Sequence, residues 1–244
     1  SFIFYLRDYF SPNFDNILIN LNNLRKNKLI IFDVGAFHGN FVNRCQKILK
    51  KTTNYHIFEP SSKENKILKN KFNYLKNSKI NNCALGEKSG TKIFYESHIP
   101  TISSFKKINS TNYLKSRILF FKILNVIPKG INLNNVYTKT EVSVLTLDQY
   151  CQNLSIKKID YLKIDVEGFE KEVLIGAKNL LRNKSIQYIQ LELICYSDLK
   201  KEYILNEYQK LLQGYKLISI KKHSNIFYYK SKIEVYDAIY SVIF

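Results

Sequence analysis

Three times in this 244-residue chain a short, largely apolar run stops at an acid and gives way to a helical pattern. The runs are "KLIIFDVG", "NYHIFEP" and "IDYLKIDVEG", and their terminal acids are Asp33, Glu59 and Asp165. An apolar run without alternation suits a strand buried on both faces, and such strands belong to parallel sheets covered by helices on each side. The segments that follow fit. Phe41, Val42, Cys45, Ile48 and Leu49 make one helical stripe, and Phe169, Val173, Leu174 and Ala177 make another within "FEKEVLIGAKNLL". "SSKENKILKNKF" reads as a helix capped by Ser61 or Ser62, with Glu64 in its first turn.

The remaining pieces extend the pattern. "KINNCALG" reads as a third strand, "TKIFYES" as a half-exposed one, "TEVSVLTLDQYC" as a strand with a short helix, and "SIQYIQLEL" as a further buried strand. "DLKKEYILNEYQKLLQGY" reads as a helix ended by Gly214. "KLISI" and "SNIFYYK" read as a closing strand pair. The expected fold class is therefore α/β: a mostly parallel sheet, helices on both faces, and an antiparallel C-terminal edge.

The length suits one domain carrying an insertion better than two domains. Residues 1–28 read as a helical extension with Phe14, Ile17, Leu18, Leu21 and Leu24 on one face, and residues 29–244 as the main domain. Periodicity lapses at about 97–138, which marks the insertion, and a stretch this long is usually functional or mobile. Within it "RILFFKILNVI", Arg117 to Ile127, is too short to span a bilayer and carries Lys122. It reads as a helix packed on the core or lying at a membrane interface. No stretch reads as a signal peptide.

Cys45, Cys83, Cys151 and Cys195 stand far apart without a CxxC pair, which argues against a zinc site or a disulfide framework. Buried free thiols in a reducing, cytoplasmic compartment are expected. The formal charge is +18, from 38 Lys+Arg against 20 Asp+Glu. That favours nucleic acid, anionic lipid or acidic glycan as partners. Yet the basic residues are mostly dispersed lysines with no arginine cluster, which reads first as composition.

In an open α/β sheet, ligands bind beyond the carboxyl ends of the strands, where these three acids lie. In Asp33-Val34-Gly35-Ala36-Phe37-His38-Gly39, Gly35 allows a tight turn and Gly39 allows close packing of the next helix. The helix start adds N–H groups and a positive dipole end. Phe37 fills the second glycine position of the dinucleotide fingerprint, and no Gly-Lys-Ser/Thr follows to make a P-loop. An acid ahead of the first glycine suits a cationic ligand, ammonium or sulfonium, better than a phosphate. S-adenosylmethionine carries both groups, and its carboxylate can use the N–H groups of the turn. Glu59 ends the next strand about twenty residues on, where an acid accepts hydrogen bonds from ribose hydroxyls, although NAD would be served equally well.

Together the pieces resemble the FkbM-type S-adenosylmethionine-dependent methyltransferases. The matching stretches are "FDVGAFHGNF", "HIFEPSS", "NCALGEKSG", "VSVLTLDQYC" and "IDYLKIDVEGFEKEVLIGAKNLL", running from about Leu29 to Glu192. The resemblance implies the class I methyltransferase (Rossmann-like) sheet of seven strands with the last antiparallel. It also implies O-methylation, often of sugar hydroxyls on glycans, glycolipids or natural products. By position, Asp33, Gly35, Ala36 and Gly39 would line the methionine end, with His38 touching ligand or capping the helix. Glu59, followed by Pro60, would hold the ribose. Ala84 and Leu85 would flank the adenine, with Asn82 nearby. Asp165 and Glu167 would face the methyl group and the acceptor.

A hydroxyl acceptor must lose its proton, and a neighbouring carboxylate can take it. Asp165 is the first candidate base and Glu167 the second. Lys163, two residues before Asp165 on a strand, shares its face and can pair with it or touch the acceptor. The acidic pair can alternatively hold a divalent cation, though no metal site is predicted. The acceptor is expected to be a small molecule or glycan, with walls from "TISSFKK", Thr101 to Lys107. RNA is the alternative acceptor, with "HSNIFYYKSK" as the one stretch that interleaves aromatic and basic residues. A non-catalytic binding module on the same fold is a further reading, as is a nicotinamide oxidoreductase, which the missing glycine and Asp33 disfavour.

Overall fold

A computed structural model describes residues 12–24, 27–99, 102–106, 111–123, 125, 127, 130–196, 201–222 and 233–243. Among these, the elements in chain order are α1 (Pro12–Asn23), β1 (Lys28–Val34), α2 (Asn40–Ile48), β2 (Thr52–Phe58), α3 (Ser62–Lys71) and β3 (Lys79–Asn81). Then come β4 (Ala84–Leu85), β5 (Gly90–Ser97), α4 (Thr111–Ile123), β6 (Tyr137–Leu145), α5 (Leu147–Asn153) and β7 (Ile159–Ile164). The last are α6 (Glu170–Ile175), α7 (Lys178–Arg182), β8 (Ile186–Tyr196), α8 (Lys201–Leu211), β9 (Tyr215–Lys222) and β10 (Ile233–Val242).

Seven strands form the central sheet in the order β3-β2-β1-β7-β8-β10-β9. The first five run parallel, and β10 is antiparallel to both β8 and β9. The fold is thus a mostly parallel α/β sheet, as the apolar runs require. The antiparallel strand lies one place inside the edge, between β8 and β9. Its sequence is Ile233–Val242, whereas the expected partner "SNIFYYK" lies outside the described residues.

The two faces of the sheet carry separate cores. One holds Phe32, Val34, Leu162 and Ile164 against Val173, Leu174 and Leu180. The other holds Ile31, Tyr161 and Ile57 against Phe41, Val42 and Cys45 of α2. Phe14, Leu18 and Leu21 are fully buried in that second core, so α1 is one of its walls. Residues 1–11 of the expected opening helix lie outside the described residues.

Three segments differ from the sequence reading. "KINNCALG" is two strands, not one: β3 joins the central sheet and β4 a second sheet of order β4-β6-β5. The strand in "TEVSVL", β6, also belongs to this side sheet, parallel to β4 and antiparallel to β5. "FEKEVLIGAKNLL" breaks into α6 and α7 at Gly176, where a Cβ would lie 2.0 Å from the Gly86 carbonyl oxygen. Asp148 of α5 caps the second piece, accepting from the N–H groups of Asn179 (2.8 Å) and Leu180 (3.0 Å). The insertion has its own core, in which Ile99, Ile102, Leu114, Ile118, Phe121 and Val136 pack together with Val235.

Candidate active site

Two turns, after β1 and after β7, meet at the carboxyl edge of the sheet. Gly35 has φ +76°, and a Cβ there would lie 1.9 Å from the Asp165 carbonyl oxygen. Only glycine lets the turns touch. Gly39 has φ +71°, and a Cβ would lie 2.3 Å from the Phe72 ring, so it packs the start of α2 against the end of α3. Phe37 and Glu167, one in each turn, hold positive φ of 46° and 55°. Such strain is characteristic of functional turns.

Between these turns and the side sheet lies an open cleft. One wall is Gly35, Phe37, Glu59, Pro60 and Ser61; a second is Cys83, Ala84 and Leu85; the mouth has Asp165, Val166 and Glu167. Facing them are Phe94, Phe105 and Phe169, with ring centroids 5.3 Å apart for Phe94–Phe105 and 4.6 Å for Phe105–Phe169.

Glu59 is buried, and each carboxyl oxygen is held by a backbone donor: Oε2 by the Phe37 N–H at 2.8 Å and Oε1 by the Ser61 N–H at 3.0 Å. Burial pushes its pKa up to about 7, with the two N–H donors opposing the shift. One acid thus ties the β1 turn to the start of α3, and each oxygen keeps a lone pair for a ligand. Ser61 is the cap of α3, accepting from the Glu64 N–H at 3.3 Å, and its hydroxyl donates to Glu96 of the side sheet.

The donors of the β1 turn are used within the protein. The Gly35 and Ala36 N–H groups both reach the Phe58 carbonyl at 3.1 Å, Phe37 reaches Glu59, and Gly39 reaches Ala36 at 2.7 Å. The expected cradle of N–H groups for a carboxylate or pyrophosphate is therefore occupied at these four positions.

Lys163 is buried, and its ammonium lies 3.2 Å from Asp33 Oδ1, 3.4 Å from Asp165 Oδ2 and 3.2 Å from the Gly35 carbonyl oxygen. Asp33 does not line the cleft: it is fully buried on the α2 face of the sheet, beside Lys163. Burial raises its pKa, and the Lys163 ammonium opposes that shift. Asp165 is partly exposed at the mouth.

Of the other expected residues, Gly35, Glu59, Pro60, Ala84, Leu85, Asp165 and Glu167 meet in the cleft, while Ala36, His38, Gly39, Asn82 and Lys163 stand behind its surface. His38 Nε2 pairs with Glu64 at 2.8 Å, and its ring stacks on Phe37 at 3.8 Å. Asn82 holds the β2–α3 turn by donating to the carbonyls of Glu59 (3.1 Å) and Pro60 (2.9 Å).

Sequence reasoning missed Glu170 and Glu192, and had Ser104 only as part of the acceptor-wall segment "TISSFKK". Glu170 is buried and accepts with one oxygen from the N–H groups of Val166 (3.0 Å) and Gly168 (3.1 Å), fixing the β7 turn. Burial pushes its pKa up to about 8. Ser104, also buried, donates to the Glu167 carbonyl at 2.9 Å and bridges Tyr95 through the backbone, so residues 102–106 are stitched to both the side sheet and the β7 turn. Within "TISSFKK", Ser103 and Phe105 line the cleft, while Thr101 and Lys107 lie outside the described residues, as does "HSNIFYYKSK". Glu192, buried on β8, has a carboxyl oxygen within 4.8 Å of those of Asp165 and Glu167, a set able to hold a divalent cation. The parallel register Lys163↔Gln190 and Ile164↔Leu191 carries Glu192 to the level of Asp165, and that register is invisible before strand pairing is known.

The comparisons agree with this architecture. No curated protein matches the chain in sequence. The structure of methyltransferase FkbM from Methylobacillus flagellatus is similar at 15% identity and a TM-score of 0.51, over 96% of this chain and 47% of that one. This chain therefore spans about half of that relative's length. An rRNA methylase from Streptococcus thermophilus (9% identity, TM-score 0.48, 94% of each chain) and a putative RNA methyltransferase from Pyrococcus horikoshii (10%, 0.43, 98% of this chain and 89% of that one) are also similar. The sequence model of the FkbM methyltransferase domain matches residues 33–215, from the first strand-end acid to the start of β9. With three quarters of its length under that match and the sheet order of a class I methyltransferase, the chain belongs to the FkbM methyltransferase family.

Proposed function

We propose that the chain is an S-adenosylmethionine-dependent O-methyltransferase acting on a hydroxyl of a sugar-containing acceptor: a glycan, glycolipid or natural product. The observation that carries this reading is the convergence of Glu59, Asp165 and Glu167 on one cleft in unlike settings. Glu59 is buried and braced by two N–H groups, which suits hydrogen bonding to a ribose. Asp165 is partly exposed and held by the Lys163 ammonium, which keeps an ionised carboxylate positioned in the cleft to meet a hydroxyl proton. The residues fit the cofactor: acids for a sulfonium and a ribose, and apolar Ala84 and Leu85 for a base.

When bound, S-adenosylmethionine supplies an electrophilic methyl carbon. Every other part falls to this chain. Glu59 and Pro60 orient the nucleoside end, and Ala84 and Leu85 pack its base. Phe94, Phe105 and Phe169 exclude water and present phenyl faces to the apolar face of a sugar. Asp165 accepts the proton of the attacking hydroxyl, and Lys163 holds that carboxylate in place, with Asp33 as the buried counter-ion. Holding acceptor and methyl in line contributes several kcal/mol, on the order of the smaller proximity effects.

Calorimetric titration tests the reading. S-adenosylhomocysteine should bind the wild type and lose at least tenfold in affinity with Glu59→Ala, while NAD should show no heat. A folded wild type that binds neither S-adenosylhomocysteine nor S-adenosylmethionine would overturn it.

A further inference from the structure

Helix α4 has two apolar faces, and only one is buried among the described residues. Leu114, Ile118 and Phe121 are buried in the core of the insertion, whereas Leu119 and Ile123 are 61% and 70% exposed. They are the two most exposed large hydrophobic side chains among the described residues. Being four apart on a helix, they lie side by side. Lys115, exposed, falls next to them on the helical wheel, and Lys122, half-buried, lies on the flank between Leu119 and the buried Ile118.

The segment that carries the helix has charge of one sign along its sequence. From Ser97 to Thr140, 44 residues, the sequence has no Asp or Glu and has seven basic residues: Lys106, Lys107, Lys115, Arg117, Lys122, Lys129 and Lys139. Exposed Leu and Ile beside lysine, inside an acid-free segment, offer apolar side chains for an acyl boundary and ammonium groups for anionic headgroups. Spanning is a separate matter: no helix among the described residues is long and apolar enough to cross a membrane.

We propose that α4 docks this protein on an anionic lipid surface, with Leu119 and Ile123 entering the acyl boundary and Lys115 and Lys122 meeting the headgroups. A second copy of the chain fits the face poorly, because a two-fold contact would bring these lysines close to their own counterparts. RNA fits poorly too, since Leu and Ile offer no ring for a base to stack on. The docking face is also coupled to the cleft. Ile102 packs in the same core as Ile118 and Phe121, and the next residue, Ser103, lines the cleft. Resting on the methyl-transfer reading, the acceptor class follows as a sugar presented from a lipid anchor.

Vesicle flotation provides the test, using phosphatidylcholine vesicles and vesicles of equal parts phosphatidylcholine and phosphatidylglycerol. Wild type should float at least tenfold better with the anionic vesicles. Leu119→Gln with Ile123→Gln should lose that gain while melting and binding S-adenosylhomocysteine as wild type does. Lys115→Glu with Lys122→Glu should lose it as well, and wild-type flotation should fall with added salt. No flotation of wild type would overturn the proposal, as would undiminished flotation of the Gln double variant. A wild-type dimer that the Gln variant converts to monomer, without flotation, would assign the face to a second copy and overturn it too. Flotation without S-adenosylhomocysteine binding would leave the docking intact and remove the methyl-transfer reading. Binding without flotation would do the reverse.

Discussion

The turns after β1 and β7 are spelled almost alike, Asp-Val-Gly-Ala-Phe and Asp-Val-Glu-Gly-Phe, on adjacent parallel strands. Their aspartates nevertheless have opposite settings. Asp33 is level with Lys163 within the sheet, fully buried on the α2 face. Asp165 lies one pleat further along, past the end of β7, where its N–H reaches the Val34 carbonyl at 3.0 Å and its side chain faces the cleft. Strand register, not the motif, decides which acid meets a ligand and which becomes a counter-ion. Lys163, touching both, turns the two acids into one electrostatic unit.

The glycines of the two turns give the largest expected contrast. Gly35→Ala collides with backbone at a positive φ, and should destabilise the protein by about 4 kcal/mol or more in denaturant unfolding. Gly168 has φ +92° but nothing within 4 Å of a Cβ, so Gly168→Ala should cost only about 1–2 kcal/mol of backbone strain. Equal losses would break the account of how the turns touch.

Next come the aspartates. Asp165→Asn should lower kcat about 10²- to 10⁴-fold, the usual worth of a general base, with S-adenosylhomocysteine affinity changed by less than about threefold. Asp33→Asn leaves Lys163 with one carboxylate partner fewer and should lower kcat by only about tenfold. If Asp33→Asn were the more damaging in turnover, the assignments of base and counter-ion would have to be exchanged.

The buried glutamates sharpen the comparison through pH. Glu59 and Glu170 have pKa values raised by burial from 4.5 to about 7 and about 8. The folded state therefore holds protons that the unfolded state has released. Their contribution to stability is full below pH 4.5 and is lost as pH rises through 7 and 8, with a slope of up to about 1.4 kcal/mol per pH unit for each group. Melting temperature should fall from pH 6 to pH 8.5, and Glu170→Gln should flatten the upper part of that fall. A stability that rises over this window would refute the burial argument. The smallest effect is expected from EDTA: Lys163 already supplies a cation at 3.4 Å from Asp165, so turnover should change by less than about twofold.

Much of this was legible in the amino acids. Acids ending apolar runs located Glu59 and Asp165, and the cap of α3 was narrowed to Ser61 or Ser62, of which the fold uses Ser61. What was hidden depends on tertiary pairing. Asp33 carried the same local signature as Asp165, and only the β1–β7 register separates them. Glu192 sits in a strand that reads simply as buried. The phenyl wall combines β5, residues 102–106 and the start of α6, brought together by a side sheet that no local pattern announces. His38, placed next to a glycine, read as ligand or cap with the structural role favoured, and Glu64 claims it.

The place of β10 bears on how the chain assembles as it is made. β8 and β9 are neighbours in sequence order but not in the sheet, because β10, translated after both, is the strand between them. Five of the seven strands of the central sheet can pair as soon as β8 has been synthesised. The other two must wait, with one edge of β8 and one edge of β9 exposed, until residues 233–242 emerge. Ribosomes stalled before that point should carry a nascent chain sensitive to proteolysis around α8 and β9 and prone to pairing with foreign strands.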